Sequence, residues 1–165
     1  MLWTSWILWT LAGNPGGQPV PYQIIEAGTR SPVRTPVAAV FRDADAWIMG
    51  YSYLHAQQIP APEVPSLSFE EQQVILLSIG ERPTSGYTVS IDQVLLKDDT
   101  LRIWAHESCP SEGAMVLQVL TQPYVLFSVP IRKAVPVLVH LKACDGSEHL
   151  LKAKEATRWI EDLQR

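Results

Sequence analysis

Residues 73–94 read QVILLSIGERPTSGYTVSIDQV, and this stretch carries the clearest indication of the fold. Residues 73–79 form a largely apolar run of the length expected for a strand that is buried on both faces. From Tyr87 to Asp92 apolar and polar side chains alternate, which is typical of a strand with one face on the core and the other in water. The stretch therefore predicts two neighbouring strands, joined by a loop slightly longer than a hairpin requires.

Short β-prone segments recur on both sides of this stretch, and turn residues separate them. The further strand candidates are 22–25, 36–41, 94–97, 101–106, 116–120, 125–129 and 135–141. The sequence Asp98-Asp99-Thr100 is a turn signal that predicts a hairpin between two of them. The pattern predicts a mainly β (α+β) fold, either an antiparallel immunoglobulin-like sandwich or a partly open barrel.

Two helices are predicted, one before the main run of strands and one at the C-terminal end. Asp43 is placed to cap a helix that begins in the sequence ADAWIMGYSYLHAQ (44–57). Three prolines between Ile59 and Ser66 then predict an extended linker. A helical stripe of apolar residues predicts a second helix, capped by Ser147 and running to Leu163.

The chain divides by sequence pattern into four segments. Residues 1–19 read as a signal remnant or a disordered N-terminus, because a short apolar run precedes the turn-rich NPGGQPVP. Residues 20–66 supply a strand, a helix and the proline linker, which pack on a main β domain at 67–132. Residues 133–165 supply a final strand and the C-terminal helix.

The N-terminal run bears on the compartment in which the protein works. At about 13 residues the run is too short to span a membrane, so the mature chain is predicted to have no membrane span. A secretory signal predicts a periplasmic or extracellular protein, although no Lys or Arg occurs before Arg30. The alternative is an ordinary buried strand.

Composition and charge narrow the classes of function. The 165 residues carry 13 Lys and Arg against 17 Asp and Glu, a formal net charge of −4. Without a basic cluster, the chain lacks the charge that nucleic-acid binding requires. Thirteen prolines argue against a helical bundle, and an apolar content of 47% argues against disorder throughout.

The chain contains no motif that predicts catalysis or a cofactor. G-x-S-x-G, H-E-x-x-H, the P-loop and G-x-G-x-x-G are all absent, so neither an enzyme nor a bound cofactor or metal is predicted. The two cysteines, Cys109 and Cys144, form either a disulfide or two separate buried thiols. A zinc site that combines them with His106 and His140 is the basis of a weaker alternative, a zinc-binding protein or small hydrolase.

The loop Glu81-Arg82-Pro83-Thr84-Ser85-Gly86 is the most distinctive candidate for binding. Pro83 stiffens the loop by fixing its φ angle, and Gly86 permits a turn at positive φ. Because a stiff projecting loop loses little entropy on association, it suits insertion into the groove of a partner. The alternative is a purely structural turn that Tyr87 anchors in the core.

A family resemblance rests on three stretches, ILLSIGERPTSGYTVSIDQV, LRIWAHESCP and LTQPYVLFSVPI. Together they resemble the C-terminal domain of the PrcB family, named for a subunit of a bacterial extracytoplasmic protease complex, over roughly residues 67–131. The resemblance implies a non-catalytic accessory or stabilising subunit that binds a protein partner, such as a protease. The residues predicted to bind the partner are Arg82, Pro83, Thr84, Ser85, Gly86, Tyr87, Gln122, Pro123 and Tyr124.

A second resemblance belongs to a different functional class. Chagasin-type inhibitors of papain-like cysteine proteases carry N-P-T-T-G-[YF] in one loop and R-P-W in a later one. Here RPTSGY (82–87) and QPY (122–124) occur in the same order, with Arg82, Gln122 and Tyr124 in place of Asn, Arg and Trp. This resemblance implies a protease inhibitor that uses both loops, and it is the first alternative function.

Overall fold

The computed structural model describes residues 16–131 and 133–164, which form ten strands and two helices. In chain order these are β1 Gln18–Pro19, β2 Gln23–Gly28, β3 Val37–Phe41, α1 Ala44–Leu54, β4 Gln73–Ser78, β5 Thr88–Lys97, β6 Thr100–Ser108, β7 Tyr124–Val129, β8 Val137–Lys142, β9 Glu148–Lys152, β10 Lys154–Glu155 and α2 Ala156–Leu163.

The strands form two five-stranded sheets that pack as a sandwich. The first sheet has the order β1-β5-β6-β8-β9 and the second has the order β10-β3-β4-β7-β2. The predicted mainly β sandwich with two helices is therefore confirmed. The sheets are mixed instead of wholly antiparallel, because β6 pairs with β8 and β3 with β10 in parallel. Both parallel pairs join strands that are distant in sequence, where the chain returns by a crossover instead of a hairpin.

The central strand β4 is buried on both faces, as its apolar run predicts. Ile75 and Leu77 belong to the core between the two sheets. Val74 and Leu76 face the opposite way, into a second core that both helices share with the outer face of the second sheet. The molecule thus has three layers, because the helices cover only one side of the sandwich.

Helix α1 begins where its capping residue predicts. The Asp43 carboxylate accepts a hydrogen bond from the Ala46 N–H at 2.8 Å, which satisfies one of the free donors at the helix start. Trp47 is buried against the sheet and donates its indole N–H to the Pro65 carbonyl at 2.9 Å. This bond holds the proline linker, which has no helix or strand, against the helix.

Gly50 is required by the close approach of α1 to β3. A Cβ atom at this position would lie 2.7 Å from Phe41 Cζ, well inside van der Waals contact. We expect Gly50→Ala to lower the free energy of unfolding by about 1 to 3 kcal/mol, because overpacking outweighs the roughly 1 kcal/mol gained in helix propensity. Urea unfolding measures the change. Ser52→Ala, on the exposed face of the same helix, is the matched control, and a Gly50→Ala protein as stable as the wild type would contradict the expectation.

Two secondary-structure predictions are wrong. Residues 116–120 form no strand, since this segment has no sheet neighbour and Leu117 forms its backbone hydrogen bonds with Ser85, in the loop before β5. The C-terminal helix begins at Ala156, because residues 148–152 form strand β9 instead. The physical reason is the turn at Gly146, whose φ of 84° reverses the chain so that β9 pairs with β8. Ser147 lies in this turn and caps no helix; Glu155 precedes α2.

The predicted N-terminal signal remnant lies mostly outside the described residues. Within the described part of the segment, β1 pairs with β5 at the edge of the first sheet. No helix in the ranges 16–131 and 133–164 is long and apolar enough to cross a membrane.

Candidate partner-binding surface

The two loops that carry the family motifs lie side by side at one end of the sandwich. The first loop, residues 81–87, connects β4 to β5, and the second loop, residues 121–124, leads into β7. An isolated antiparallel bridge joins Arg82 to Thr121, with N···O distances of 2.8 and 3.0 Å. The Thr121 hydroxyl also donates to the Thr84 carbonyl at 2.9 Å. The loops therefore form one continuous surface.

Two glycines, one just before the first loop and one within it, let the chain pack closely against its neighbours. Gly80 has a φ of 77°, and a Cβ atom there would lie 2.8 Å from the Arg34 carbonyl oxygen. Gly86 has a φ of 92°, and its Cβ would lie 2.9 Å from Pro110 Cγ. Since positive φ is strained for other residues, both positions favour glycine. The predicted role of Gly86 in shaping the loop agrees with this geometry.

Arg82 anchors the first loop to the first sheet through a partly buried ion pair. Its Nε donates to a carboxylate oxygen of Glu107, whose side chain is only 3% exposed, and its Nη1 donates to the Glu81 carbonyl at 2.9 Å. The other Glu107 oxygen accepts the Cys144 N–H at 3.4 Å. The guanidinium of Arg82 is therefore engaged inside the protein.

The other predicted binding residues differ in their solvent exposure. Pro83 and Gly86 are exposed, whereas Thr84, Ser85, Tyr87 and Gln122 are half-buried. Pro123 and Tyr124 are buried, and Tyr124 retains only 2% of its exposed area. This burial removes Pro123 and Tyr124 from the surface that a partner reaches. The accessible part of the motifs is the first loop together with Gln122.

Tyr124 belongs to a buried polar cluster centred on Glu26 of β2. The Tyr124 hydroxyl donates to Glu26 Oε1, and the Tyr51 hydroxyl donates to Glu26 Oε2 at 2.9 Å. His55 Nε2 lies 3.1 Å from Glu26 Oε1. Burial and the hydrogen bond to Glu26 raise the pKa of Tyr51 to about 12 and raise the pKa of Tyr124 further. The cluster ties α1 to β2 and β7 beneath the second loop.

The pKa shifts predict a loss of stability at high pH. A tyrosine whose folded-state pKa lies above the ordinary value of 10 stabilises the protein fully below pH 10, and this contribution falls as the pH rises toward 12. We expect the wild type to lose about 2 to 3 kcal/mol of unfolding free energy between pH 9 and pH 11 through this pair. Urea unfolding at each pH measures the slope. Tyr124→Phe should flatten it, and an unchanged slope in that variant would contradict the assignment.

Sequence reasoning missed Glu26 and His55 as members of this cluster. Tyr51 and His55 are four residues apart, so a helix would place them on one face, and this spacing was the only available signal. Glu26 lies in a different strand, and only the pairing of β2 with β7 brings it beneath Tyr124. No pattern in the sequence indicates that pairing.

A third segment, residues 114–120, borders the first loop and exposes apolar side chains. Ser85 N donates to the Leu117 carbonyl at 3.0 Å, and Leu117 N donates to the Ser85 hydroxyl at 2.9 Å. Met115, Leu117 and Leu120 are among the most exposed large apolar side chains of the described chain, at 102%, 69% and 62%. An apolar patch next to a motif-bearing loop is typical of a protein-binding surface.

The four residues of the alternative zinc site are engaged with other groups. Cys109 and Cys144 form a disulfide with a Cα–Cα distance of 5.9 Å. His106 Nδ1 lies 2.7 Å from Asp92 Oδ1, and His140 stacks on Trp104 with ring centroids 4.9 Å apart. Within the described residues, no group of three or more His, Cys, Asp or Glu could hold a metal ion. The zinc alternative thus has no assembled ligand set in this part of the chain.

Comparison with known proteins identifies one family. Residues 73–130 match the family model described as PrcB C-terminal, which confirms the resemblance seen in the sequence. The match begins at β4, ends just after β7 and includes both loops. Neither the curated proteins nor the solved structures give a significant match to this chain.

Proposed function

With residues 73–130 matching the PrcB C-terminal family, we propose that this protein is a non-catalytic accessory subunit that binds and stabilises an extracytoplasmic protease or another envelope protein. The first loop, with Gln122 and the apolar segment 114–120, provides the contact surface. The family consists of accessory domains and not of catalytic ones. Membership in it therefore implies a protein partner.

The observation that carries this proposal is the joining of the two motif loops by the Arg82–Thr121 bridge. Backbone hydrogen bonds and the buried Glu107 hold the first loop in place before any partner is bound. A loop that is already ordered loses little conformational entropy on association. The surface is therefore suited to binding through Pro83, Thr84 and Ser85.

The experiment is to co-purify the tagged chain with its partner from the native envelope fraction and to assay protease activity in the eluate. We expect a protease to co-elute with the wild type and to survive incubation for longer when the chain is present. Thr84→Arg places a long charged side chain on the first loop and should reduce the recovered protease by about tenfold.

Thr100→Arg is the matched control, because Thr100 lies at the start of β6, at the end of the β5–β6 hairpin away from the first loop. It should leave the recovered protease unchanged. Equal recovery of protease with the wild type and Thr84→Arg would refute a role for the first loop. Recovery of neither a protease nor any other envelope protein with the wild type would refute the accessory function.

Protease inhibition is the second candidate, and the side-by-side placement of the RPTSGY and QPY loops favours it. In that mode an aromatic side chain of the second loop would enter the cleft of the protease. Tyr124, the residue at that position, is instead buried and bonded to Glu26. Titration against papain-like and subtilisin-like proteases separates the two functions, because a stabilising subunit leaves their activity intact.

We also propose a periplasmic or extracellular location. The Cys109–Cys144 disulfide supports it, because such bonds persist in oxidising compartments. Fractionation of cells that express the full chain tests the location directly.

A further inference from the structure

A groove of about 960 Å³ opens beside the first loop. Its walls come from the β2–β3 connection, the C-terminal end of α1 with the residues that follow it, and both motif loops. The side chains that give the groove its charge and its apolar surface include Arg30, Arg34, Ile59, Glu81, Leu120 and Gln122. A cavity of this size can hold several residues of an extended peptide.

The groove carries more positive than negative charge, although the whole chain has a net charge of −4. Arg30 and Arg34 line it, and the carboxylate that faces them is Glu81. Arg34 Nε lies 3.8 Å from Glu81 Oε2, a loose pair in which the arginine side chain remains 80% exposed. Arg30 forms no ion pair within the described part of the chain. Both guanidinium groups therefore have donors available for a carboxylate ligand.

The same groove has an apolar side and open backbone groups. Ile59 is 98% exposed, and Leu120 is 62% exposed. Within residues 16–131 and 133–164, the backbone N–H and C=O groups of Leu120 form no hydrogen bond. An extended peptide can satisfy such groups with its own backbone while its apolar side chains cover the exposed surface.

We infer that this groove binds an extended acidic peptide segment of the protein partner. Carboxylates of the segment pair with Arg30 and Arg34, and its apolar side chains pack on Ile59 and Leu120. The inference rests on the proposed function, since the groove shares Glu81 and Gln122 with the motif loops and lies next to the proposed contact surface.

The test is selection of random peptides of about ten residues displayed on phage, followed by fluorescence polarisation with the enriched peptides. We expect enriched peptides to combine Asp or Glu with apolar residues, and their affinity to fall as the salt concentration rises from about 50 to about 300 mM. Arg30→Glu/Arg34→Glu should weaken their binding by about tenfold or more. Enrichment of uncharged or basic peptides, or no enrichment, would overturn the inference.

The matched control is Lys152→Glu/Arg158→Glu, which makes the same change in charge on exposed residues at another surface. It should leave peptide affinity within about twofold of the wild type. Equal weakening in both double variants would overturn the inference, because it would indicate a general charge effect.

Co-purification separates this inference from the proposed function. If Arg30→Glu/Arg34→Glu still recovers the full amount of protease while Thr84→Arg does not, the groove assignment fails and the accessory function stands. If the wild-type chain recovers neither a protease nor any other envelope protein, the accessory function fails whatever the peptides show.

Discussion

Replacing Arg82 by Met is expected to lower the free energy of unfolding by about 3 to 5 kcal/mol, because the substitution leaves the Glu107 carboxylate buried without its counter-ion. The Glu107 side chain is only 3% exposed and the Arg82 side chain 23% exposed, so the carboxylate depends on the guanidinium more than on water. The remaining donor to this carboxylate is the Cys144 N–H at 3.4 Å, a long hydrogen bond. Arg82 also bridges Thr121, but through backbone atoms that Met retains.

A double-mutant cycle measures the coupling between the two side chains. Arg82→Met/Glu107→Leu removes both charges, and we expect it to be more stable than Arg82→Met by about 2 kcal/mol or more. Lys133→Met is the control, since the Lys133–Asp99 pair is mostly exposed and should contribute about 0 to 1 kcal/mol. Equal urea midpoints for Arg82→Met and Lys133→Met would contradict the structural role of Arg82.

This role affects how the loop should be tested for binding. The family motif includes Arg82, and sequence reasoning assigned it to partner contact. Because an Arg82 variant changes stability as well as the loop, lost binding in that variant would not identify a contact. Thr84 and Pro83, which take no part in a buried ion pair, are the positions that separate the two effects.

Local sequence patterns predicted the parts of the fold that depend on neighbours in the chain. The apolar run at 73–79 became the doubly buried strand β4, and Asp43 became the N-cap of α1. The turn at Asp98 and Asp99 has φ angles of 50° and 54°, as a tight hairpin requires. In each case the cause of the structure lies within a few residues of the signal.

The wrong predictions have a common physical cause. Each depends on a tertiary contact that no local sequence pattern indicates. Residues 116–120 are apolar enough for a strand, yet their hydrogen-bonding partner is the first loop and not a sheet. Residues 148–152 fit a helical stripe, yet pairing with β8 outweighs that preference and makes them a strand. In the candidate site, the QPY motif predicts that Tyr124 is exposed on a loop. Tyr124 is instead buried, because its hydroxyl bonds to Glu26 of a distant strand.

Removal of the disulfide is expected to have the second large effect on stability. It tests whether the covalent link stabilises the same end of the sandwich as the Arg82–Glu107 pair. Cys109 and Cys144 are 35 residues apart, and the bond joins the chain just after β6 to the chain just after β8. For a closed loop of this length, the chain-entropy estimate gives about 3 to 4 kcal/mol of stabilisation from restricting the unfolded state. We expect Cys109→Ser/Cys144→Ser to lose that amount of unfolding free energy.

Urea unfolding with and without dithiothreitol measures the effect in the unmodified chain. Reduction should shift the wild-type midpoint to that of the double serine variant, which should itself not respond to the reductant. Because the Cys144 N–H donates to Glu107, the loss from the double variant and the loss from Arg82→Met should not add fully when combined. Unfolding midpoints that coincide before and after reduction would show that the disulfide adds nothing to stability. Fully additive losses of unfolding free energy would show that the disulfide and the Arg82–Glu107 pair act independently.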